Sequence, residues 1–363
     1  HVLDVDCTKP DPARHKTIVN QKRIAFIDIA RGFAILAVIA VHTGFLPLQH
    51  QLLPLITPWM LPVFAVLHGW LAKDTHSFAD VAVKRLRSLI VPYCIAGFVS
   101  YALWLGLRWY AVDTVLFVPW DMALRQLFLG TSLVFNGPLW FLPAFFIATV
   151  IFEINRATFT KGGIAKALLL AATLTFFSFT VNPTKSHVVF SYDLSLLLAS
   201  FMLVGERLRA VHWEKIQMGT WIAVGVGFVA LSIFNGTIDM FGREFGNPWL
   251  YLLSAHIGSG LVIGVAQRMA ERKWWVTGAL AVIGRHSLLV LVTHWPMMQW
   301  LTFVLTILGL VPVLGGTPTY MSFSYDHPSA IVFTLIELPL LALYMAVPLL
   351  ILPVAGRLRR AYL

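Results

Sequence analysis

The sequence predicts an all-α, polytopic membrane protein with about ten transmembrane helices. Of its 363 residues, 58% are apolar and only 12% are charged, and the mean hydropathy is +0.77. A soluble domain is typically about 45–50% apolar and about 25% charged. The apolar residues fall in stretches of about 20 with few charges, which is the length that a helix needs to cross about 30 Å of hydrocarbon.

The predicted spans follow one another along nearly the whole chain. They cover residues 25–46, 52–73, 88–109, 136–154, 163–182, 188–206, 217–235, 249–267, 286–312 and 331–355. The apolar and aromatic stretch 114–130 is predicted to be an interfacial or re-entrant helix. Because residues 276–312 are too long for one span, 276–284 is predicted to be a short segment that leads into the ninth helix at Arg285.

The basic residues between the spans predict the orientation. Roughly 21 Lys and Arg residues fall on one side of the predicted membrane and 4 on the other, with Arg31 and Arg285 near or inside it. The positive-inside rule assigns the richer side to the cytoplasm. Both termini are therefore predicted to be cytoplasmic, and ten spans give the even number that this requires. Topology and anionic lipid headgroups explain the net charge of +10, so membrane lipids rather than nucleic acid are the expected partners.

The chain divides into one long transmembrane domain and two short tails. Residues 1–22 are predicted to be a cytoplasmic N-terminal tail, 23–356 the transmembrane domain, and 357–363 a basic cytoplasmic C-terminal tail. No cleavable signal peptide is predicted, because the first apolar run is too long and contains charges. The only cysteines are Cys7 and Cys94, and no metal-binding Cys/His cluster or covalent cofactor motif is predicted.

The first predicted helix has three ionisable side chains along one side. Asp28, Arg31 and His42 lie on a face rich in small residues. At roughly 100° per residue, Arg31 and His42 fall within about 20° of each other, three turns apart. Because each such group costs about 2.5–3.5 kcal/mol or more in hydrocarbon, the face predicts a functional site. A structural alternative stays open, in which Asp28 and Arg31 form a salt bridge and His42 packs the helix through a hydrogen bond.

Two regions at the cytoplasmic ends of later spans hold further candidates. His68 in the second span is predicted to be either a site residue or an interfacial hydrogen-bond donor. Arg85 and Arg87 precede the third span, where basic residues are usually topology signals but also suit an anionic ligand.

The ninth span adds a third group of candidates. Arg285 and His286 are predicted to lie near the cytoplasmic surface, with His294 about 13 Å deeper in the membrane. Other membrane-embedded or boundary acids and bases are expected to pair with polar side chains; they are Asp193, Glu206, His256 and Glu337.

Four short motifs occur in order along the chain. They are D-x-x-R-G with R-x10-H (Asp28, Arg31, Gly32, His42), P-x-F-x4-G (Pro62, Phe64, Gly69), R-x-R followed by Pro-Tyr (Arg85, Arg87, Pro92, Tyr93) and G-x-x-S-L…H (Gly284, Ser287, Leu288, His294). Together with Leu-Trp-Phe-Leu at 139–142, this ordered set resembles the membrane-bound acyltransferase family 3, the O-acetyltransferases of cell-surface and secreted glycans. Relatives often have Ser before the Gly of the second motif, where this chain has His68, a departure that would suit a different acceptor.

The resemblance implies an enzyme of a bacterial inner membrane that moves an acetyl or other short acyl group from cytoplasmic acyl-CoA to a hydroxyl group. The acceptor is expected to be a cell-envelope glycan or glycolipid, and acetyl-CoA a co-substrate rather than a bound cofactor. His42 is expected to act as general base or to take the acyl group transiently, while Asp28 and Arg31 orient the helix face and the donor. Four residues are assigned to the donor, Arg85, Arg87, Arg285 and His294, and two to the acceptor, His68 and Trp140.

A lipid or glycan transporter is the alternative from another functional class. Buried charged groups also mark transport paths. However, the predicted spans show no two-fold hydropathy repeat with paired broken helices, which many transporters have. A catalytically inactive scaffold is disfavoured by the intact pair of Arg31 and His42.

Overall fold

The computed structural model describes residues 12–43, 49–72, 78–110, 118–131, 133–159, 163–272, 274–308, 316–318 and 323–325. The helices are α1 (Pro12–Thr43), α2 (Gln49–Ile56), α3 (Pro62–Trp70), α4 (Phe78–Arg85), α5 (Val91–Tyr110), α6 (Trp120–Leu129), α7 (Phe141–Phe159), α8 (Gly163–Thr180), α9 (Tyr192–Leu208), α10 (Met218–Asn235), α11 (Pro248–Ala270), α12 (Trp275–Arg285) and α13 (Ser287–Ile307). A π-helical turn, Leu86–Ile90, joins α4 to α5, and short strands β1 (Gly316–Pro318) and β2 (Phe323–Tyr325) pair antiparallel.

Six of the described helical segments are long and apolar enough to cross a membrane, or seven if one bent helix pair counts as a single span. The six are Ala25–His42, Ala79–Tyr110, Gly137–Arg156, Val189–Leu208, Met218–Asn235 and Pro248–Ala270. The bent pair consists of α12 and α13, which meet at an angle of 81° and form either a broken span or a re-entrant loop. The predicted all-α, polytopic membrane fold is therefore confirmed.

Two of the predicted spans, the second and the fifth, are not single long helices in the structure. The second is broken into α2 and α3 by the turn at 57–61, and the fifth corresponds to α8, whose apolar part is only Lys166–Thr180. The tenth span, 331–355, and the tail 357–363 lie outside the described residues. At the other end, α1 already begins at Pro12, within the segment predicted as the N-terminal tail.

The stretch 114–130 contains one short helix, α6, of ten residues. At about 1.5 Å per residue, this helix is too short to span the membrane, as predicted. It ends at Gly130, whose φ of +60° is the left-handed conformation common at helix C-termini. The Tyr93 hydroxyl donates to the Leu127 carbonyl at 2.6 Å, so the tyrosine of the Pro-Tyr motif ties α6 to α5.

The outer faces of several helices present large apolar side chains that no other described residue covers. Trp275 is 85% exposed, Phe234 83% and Trp109 81%. A soluble monomer rarely exposes extended apolar patches, and lipid is the natural cover for these surfaces. By contrast, Ile29, Ile35 and Ile39 of α1 are fully buried, so the apolar segment Ala25–His42 is surrounded by other helices.

Two glycines bring the backbones of α1 and α12 into direct contact. A Cβ atom at Gly32 would collide with the carbonyl oxygen of Leu280, and one at Gly284 with the carbonyl oxygen of Asp28. Small residues of this kind let membrane helices approach closely and gain van der Waals packing. The glycines of the first and fourth motifs therefore have a structural role.

A second glycine pair joins α3 to α9 in the same way. A Cβ atom at Gly69 would collide with the Met202 carbonyl oxygen, and one at Gly205 with the Val66 carbonyl oxygen. This contact fixes His68, which precedes Gly69, against the interior of the helix bundle, where it is 8% exposed.

We expect Gly284→Ala to destabilise the protein by about 1–3 kcal/mol or more, because a new methyl group would meet an unyielding backbone carbonyl of α1. The matched control is Gly278→Ala on the same helix, where a Cβ atom would meet nothing within 4 Å. Thermal unfolding of both variants in detergent measures the difference. Equal melting temperatures would contradict the packing role of Gly284.

Candidate active site

Two histidines from distant parts of the chain meet at the end of α1 that is predicted to face away from the cytoplasm. His42 Nδ1 lies 3.0 Å from His294 Nε2, although the residues are 252 positions apart. Their rings stack with centroids 5.3 Å apart and an interplanar angle of 13°. Trp295 packs against His42 at 90°, also with centroids 5.3 Å apart. The structure thus unites the histidines of the first and fourth motifs.

The hydrogen-bond chain assigns the protons of this histidine pair. His294 Nδ1 lies 3.0 Å from the Val290 carbonyl oxygen, which only accepts hydrogen bonds, so this nitrogen carries a proton. With both rings neutral, His294 Nε2 is then an acceptor, and His42 Nδ1 donates to it. The assignment leaves His42 Nε2 unprotonated, with a lone pair that is not used in the pair.

A proline next to the histidine pair accounts for a buried asparagine. Pro296 lies inside α13 and has no N–H, so the Val292 carbonyl loses its partner within the helix. Asn136 Nδ2 donates to that carbonyl at 2.9 Å, and also to Ser100 Oγ at 2.9 Å. Asn136 is fully buried. It therefore holds α13 in place at Val292, two residues before His294.

A cavity of about 550 Å³ opens beside the histidine pair. Its lining includes His42, Trp140, Asp239, Phe241 and Trp295. Trp140 and Phe241 lie with ring centroids 5.4 Å apart. The cavity is therefore an aromatic-walled space with His42 in its lining and a carboxylate nearby. Within the described part of the chain, no group of three His, Cys, Asp or Glu side chains is placed to hold a metal ion.

A buried ion pair supports the cavity wall that contains Phe241. Arg243 Nε and Nη2 donate to the two carboxylate oxygens of Asp193 at 2.9 and 3.0 Å, which confirms that Asp193 pairs with a polar side chain. Arg243 has a φ of +59° and also donates to the Phe241 carbonyl at 2.6 Å. The His187 ring stacks on Phe241 with ring centroids 4.3 Å apart. Burial and the nearby Arg243 guanidinium lower the pKa of His187.

Near the start of the apolar segment of α1, Ala25–His42, an ion pair joins α1 to another helix. Asp28 Oδ2 lies 3.5 Å from Nε of Arg285, which is 64% exposed. Asp28 thus pairs across to α12 rather than within α1, where Arg31 stays in electrostatic range of its carboxylate. The salt bridge between Asp28 and Arg31, left open by the sequence, is not formed in the structure.

Three basic side chains lie within electrostatic range of one another near this end of the segment, which is predicted to face the cytoplasm. His68 and Arg85 interact electrostatically with Arg31 and with each other. His68 sits edge-on between Phe145 and Phe152, with ring centroids 5.5 and 6.0 Å away. Arg85 Nε is buried and has no hydrogen-bond partner among the described residues. We call Arg31, His68 and Arg85 the inner cluster.

The two arginines of the R-x-R motif separate in the structure. Arg85 belongs to the inner cluster, whereas Arg87 is exposed and lines a surface groove with Lys84 and Asp80. The π-helical turn that follows Arg85 offsets the two residues from regular α-helical spacing. The sequence prediction grouped them as equivalent donor ligands, and only Arg85 shares the inner cluster.

Acidic residues of α7 and α9 lie next to the inner cluster. Glu206 accepts from Arg156 Nε at 2.8 Å, which confirms its predicted pairing, and Glu153 lies 3.4 Å from Nη1 of Arg156. Glu153 also interacts electrostatically with Arg85. His256 hydrogen-bonds to the backbone carbonyl of Leu252 in its own helix at 2.7 Å, rather than to a polar side chain as predicted. The remaining predicted pairing residue, Glu337, lies outside the described residues.

These features define a multi-pass membrane protein in which one central helix links the basic inner cluster to the histidine pair. We call the cavity beside this pair, with His42, Trp140, Asp239, Phe241 and Trp295 in its lining, the outer cavity. Comparison with known families identifies the chain further. A profile described as an acyltransferase domain, that of acyltransferase family 3, matches residues 24–352. The protein belongs to this family and is a membrane acyltransferase, and nothing in the match supports the transporter alternative. Neither a curated protein nor a solved structure gives a significant match.

Several residues of the site escaped the sequence prediction. Asn136, Phe241 and Trp295 show no motif spacing that links them to His42, since they lie on distant parts of the chain. Of these contacts, the sequence indicates only one half of one. A proline within an apolar helix leaves a backbone carbonyl without its intrahelical partner, so Pro296 predicts that another polar group bonds to the Val292 carbonyl. The sequence does not indicate that this group belongs to Asn136.

We expect Asn136→Ala to lower stability by about 1–3 kcal/mol, because the Val292 carbonyl would be left unsatisfied in the protein interior. Asn155→Ala is the matched control, since Asn155 donates to the Ile151 carbonyl of its own helix, which already has an intrahelical partner. Chemical or thermal unfolding in detergent checks the pair. A loss that is no larger for Asn136→Ala would disprove the role of Asn136.

Proposed function

We propose that the protein transfers an acetyl or other short acyl group from cytoplasmic acyl-CoA to a hydroxyl group of a cell-envelope glycan or glycolipid. The observation that carries this proposal is the hydrogen-bonded pair of His42 and His294 beside the outer cavity. In the tautomer assigned above, the His42 Nε2 lone pair is not used within the pair and is suited to take a proton from a hydroxyl group. Membership of the acyltransferase family supports the reaction class, and a bacterial inner membrane is the proposed location.

His42 is the general base of the proposed reaction. The acceptor hydroxyl oxygen attacks the thioester carbonyl carbon while its proton passes to His42 Nε2. The tetrahedral intermediate then collapses, the carbon–sulfur bond breaks, and the thiolate of CoA takes the proton from the imidazolium. His294 accepts the hydrogen bond from His42 Nδ1, so it fixes the base in its productive tautomer, as an orienting group does in hydrolase triads.

The inner cluster is the proposed contact for the phosphates of acyl-CoA. The buried, unpartnered Nε of Arg85 offers a charge-assisted hydrogen bond. Arg31 supplies a second cation, and Asp28 with Arg285 holds α12 at this end. Arg31 and His42 are about 16 Å apart along α1. The pantetheine arm is long, thin and mostly neutral, so it suits a path along α1 between the phosphates and the base.

The outer cavity is the proposed acceptor site. Its aromatic wall, formed by Trp140 and Phe241, suits the apolar face of a sugar ring, and the Asp239 carboxylate is a hydrogen-bond acceptor for sugar hydroxyls. His68 belongs instead to the inner cluster. We therefore propose Trp140 for the acceptor and reassign His68 from the acceptor to the donor side.

We expect His42→Ala to reduce acyl transfer by about 10²–10⁴-fold, because general base catalysis is lost. His294→Leu should lower kcat with little change in KM, and His294→Gln should recover part of the loss by offering an acceptor to His42 Nδ1. His256→Ala, which removes a buried histidine on α11, is the control. The measurement is release or transfer of radiolabelled acetyl groups from acetyl-CoA by purified protein. Near wild-type turnover by folded His42→Ala would refute the proposed base.

We expect Arg85→Gln to weaken CoA binding by about 10–100-fold, since a hydrogen bond to a charged group contributes about 1.5–3 kcal/mol. Arg87→Gln is the matched control, because Arg87 is exposed and lines a separate groove. Isothermal titration calorimetry with CoA measures both affinities. Wild-type protein that does not bind CoA would overturn the donor assignment, and equal losses in the two variants would overturn the distinction between these arginines.

A further inference from the structure

Trp295 lines the outer cavity, and its indole N–H has no hydrogen-bond partner among the residues that the structure describes. The residue lines the cavity beside His42 and packs against the His42 ring. Its indole Nε1–H is buried and makes no hydrogen bond to any described residue. A buried donor without a partner is costly, and such groups in native structures call for an explanation.

Two neighbours hold this indole in place. Gly137 packs beside its six-membered ring, since a Cβ atom there would be in ordinary van der Waals contact, 3.4 Å from Cζ2 and 3.5 Å from Cη2 of Trp295. The helix that bears Trp295 is held by Asn136 through the Val292 carbonyl, three residues away. The ring that bears the indole N–H is therefore held against the ring of the proposed base, and a catalytic donor needs such a fixed position.

Other tryptophans provide a comparison within the same molecule. Trp221 and Trp300 also have buried indole N–H groups without partners among the described residues. Neither lines the outer cavity. Trp300 lies on α13, five positions after Trp295, and packs near Gly106 of α5. An unpartnered indole is thus not in itself a site, and its place beside His42 distinguishes Trp295.

We propose that Trp295 is a catalytic residue whose Nε1–H stabilises the oxyanion of the acyl-transfer reaction. This inference rests on the proposed function. As the acceptor hydroxyl attacks the thioester, its proton goes to His42 and the carbonyl oxygen becomes an oxyanion that accepts from Trp295. When the carbon–sulfur bond breaks, the oxyanion returns to a carbonyl and the CoA thiolate leaves. Because an indole only donates, Trp295 does not compete with His42 for the proton.

The first test compares two substitutions on one helix. Trp295→Phe removes the N–H while it keeps an aromatic ring, and loss of one oxyanion donor typically lowers kcat by about 10²–10³-fold. The KM for acetyl-CoA should stay within about two-fold. Trp300→Phe is the control and should keep wild-type turnover. The measurement is thiol release from acetyl-CoA by each variant, with water as acceptor. Equal kcat values for wild type and Trp295→Phe would overturn the proposal.

A second readout needs no turnover and separates the outcomes. A fluoroketone analogue of acetyl-CoA, which hydrates to a tetrahedral carbon with an oxyanion-like oxygen, should bind Trp295→Phe about 10-fold or more weakly than Trp300→Phe. CoA itself should bind both variants equally. Equal analogue affinities would overturn the role of Trp295 alone. If wild-type protein bound neither CoA nor the analogue, the proposed function would fail, and this inference with it.

Discussion

The backbone contact between α1 and α12 is the constraint on which the rest of the candidate site depends. Gly32 and Gly284 allow the two helices to touch, since any side chain at either position would overlap a backbone carbonyl of the partner helix. The chain then turns by 81° into α13. This turn brings α13 beside the far half of α1, where His294 reaches His42 at 3.0 Å. Gly32 of α1 and Gly284 of α12 thus set the geometry of a histidine pair that lies about three turns further along α1.

Hydrogen bonds inside the membrane-spanning part of the protein are the second constraint on the site. Backbone polar groups in the hydrocarbon interior need partners from within the protein. Asn136 supplies one for the carbonyl freed by Pro296, and the Val290 carbonyl orients His294, which in turn orients His42. The same bonds that satisfy the backbone therefore select the tautomer of the proposed base. Stability and chemistry share these contacts, so a polar substitution here affects both.

The separation of charge along α1 fits a reaction whose two substrates come from opposite sides. The basic inner cluster suits an anionic donor, and the aromatic outer cavity suits an uncharged acceptor. Arg243 and Asp193 brace the cavity wall through a buried ion pair, which adds geometric definition more than stability. In such a reaction only an acyl group passes from one side of the membrane to the other, and no whole lipid or glycan is transported. This agrees with the acyltransferase family of the chain.

The sequence alone determined the membrane fold, the helix face that contains Asp28, Arg31 and His42, and the family resemblance. Hydropathy and helical periodicity are local properties, so they can be read from neighbouring residues. Only the tertiary structure decided that Asp28 pairs with Arg285 and that His42 lies beside His294. It also decided that Arg85 and Arg87 lie in different surroundings. These outcomes depend on which helices pack together and at what angle. That packing is set by close contacts between residues far apart in the chain, and periodicity within a single helix does not encode it.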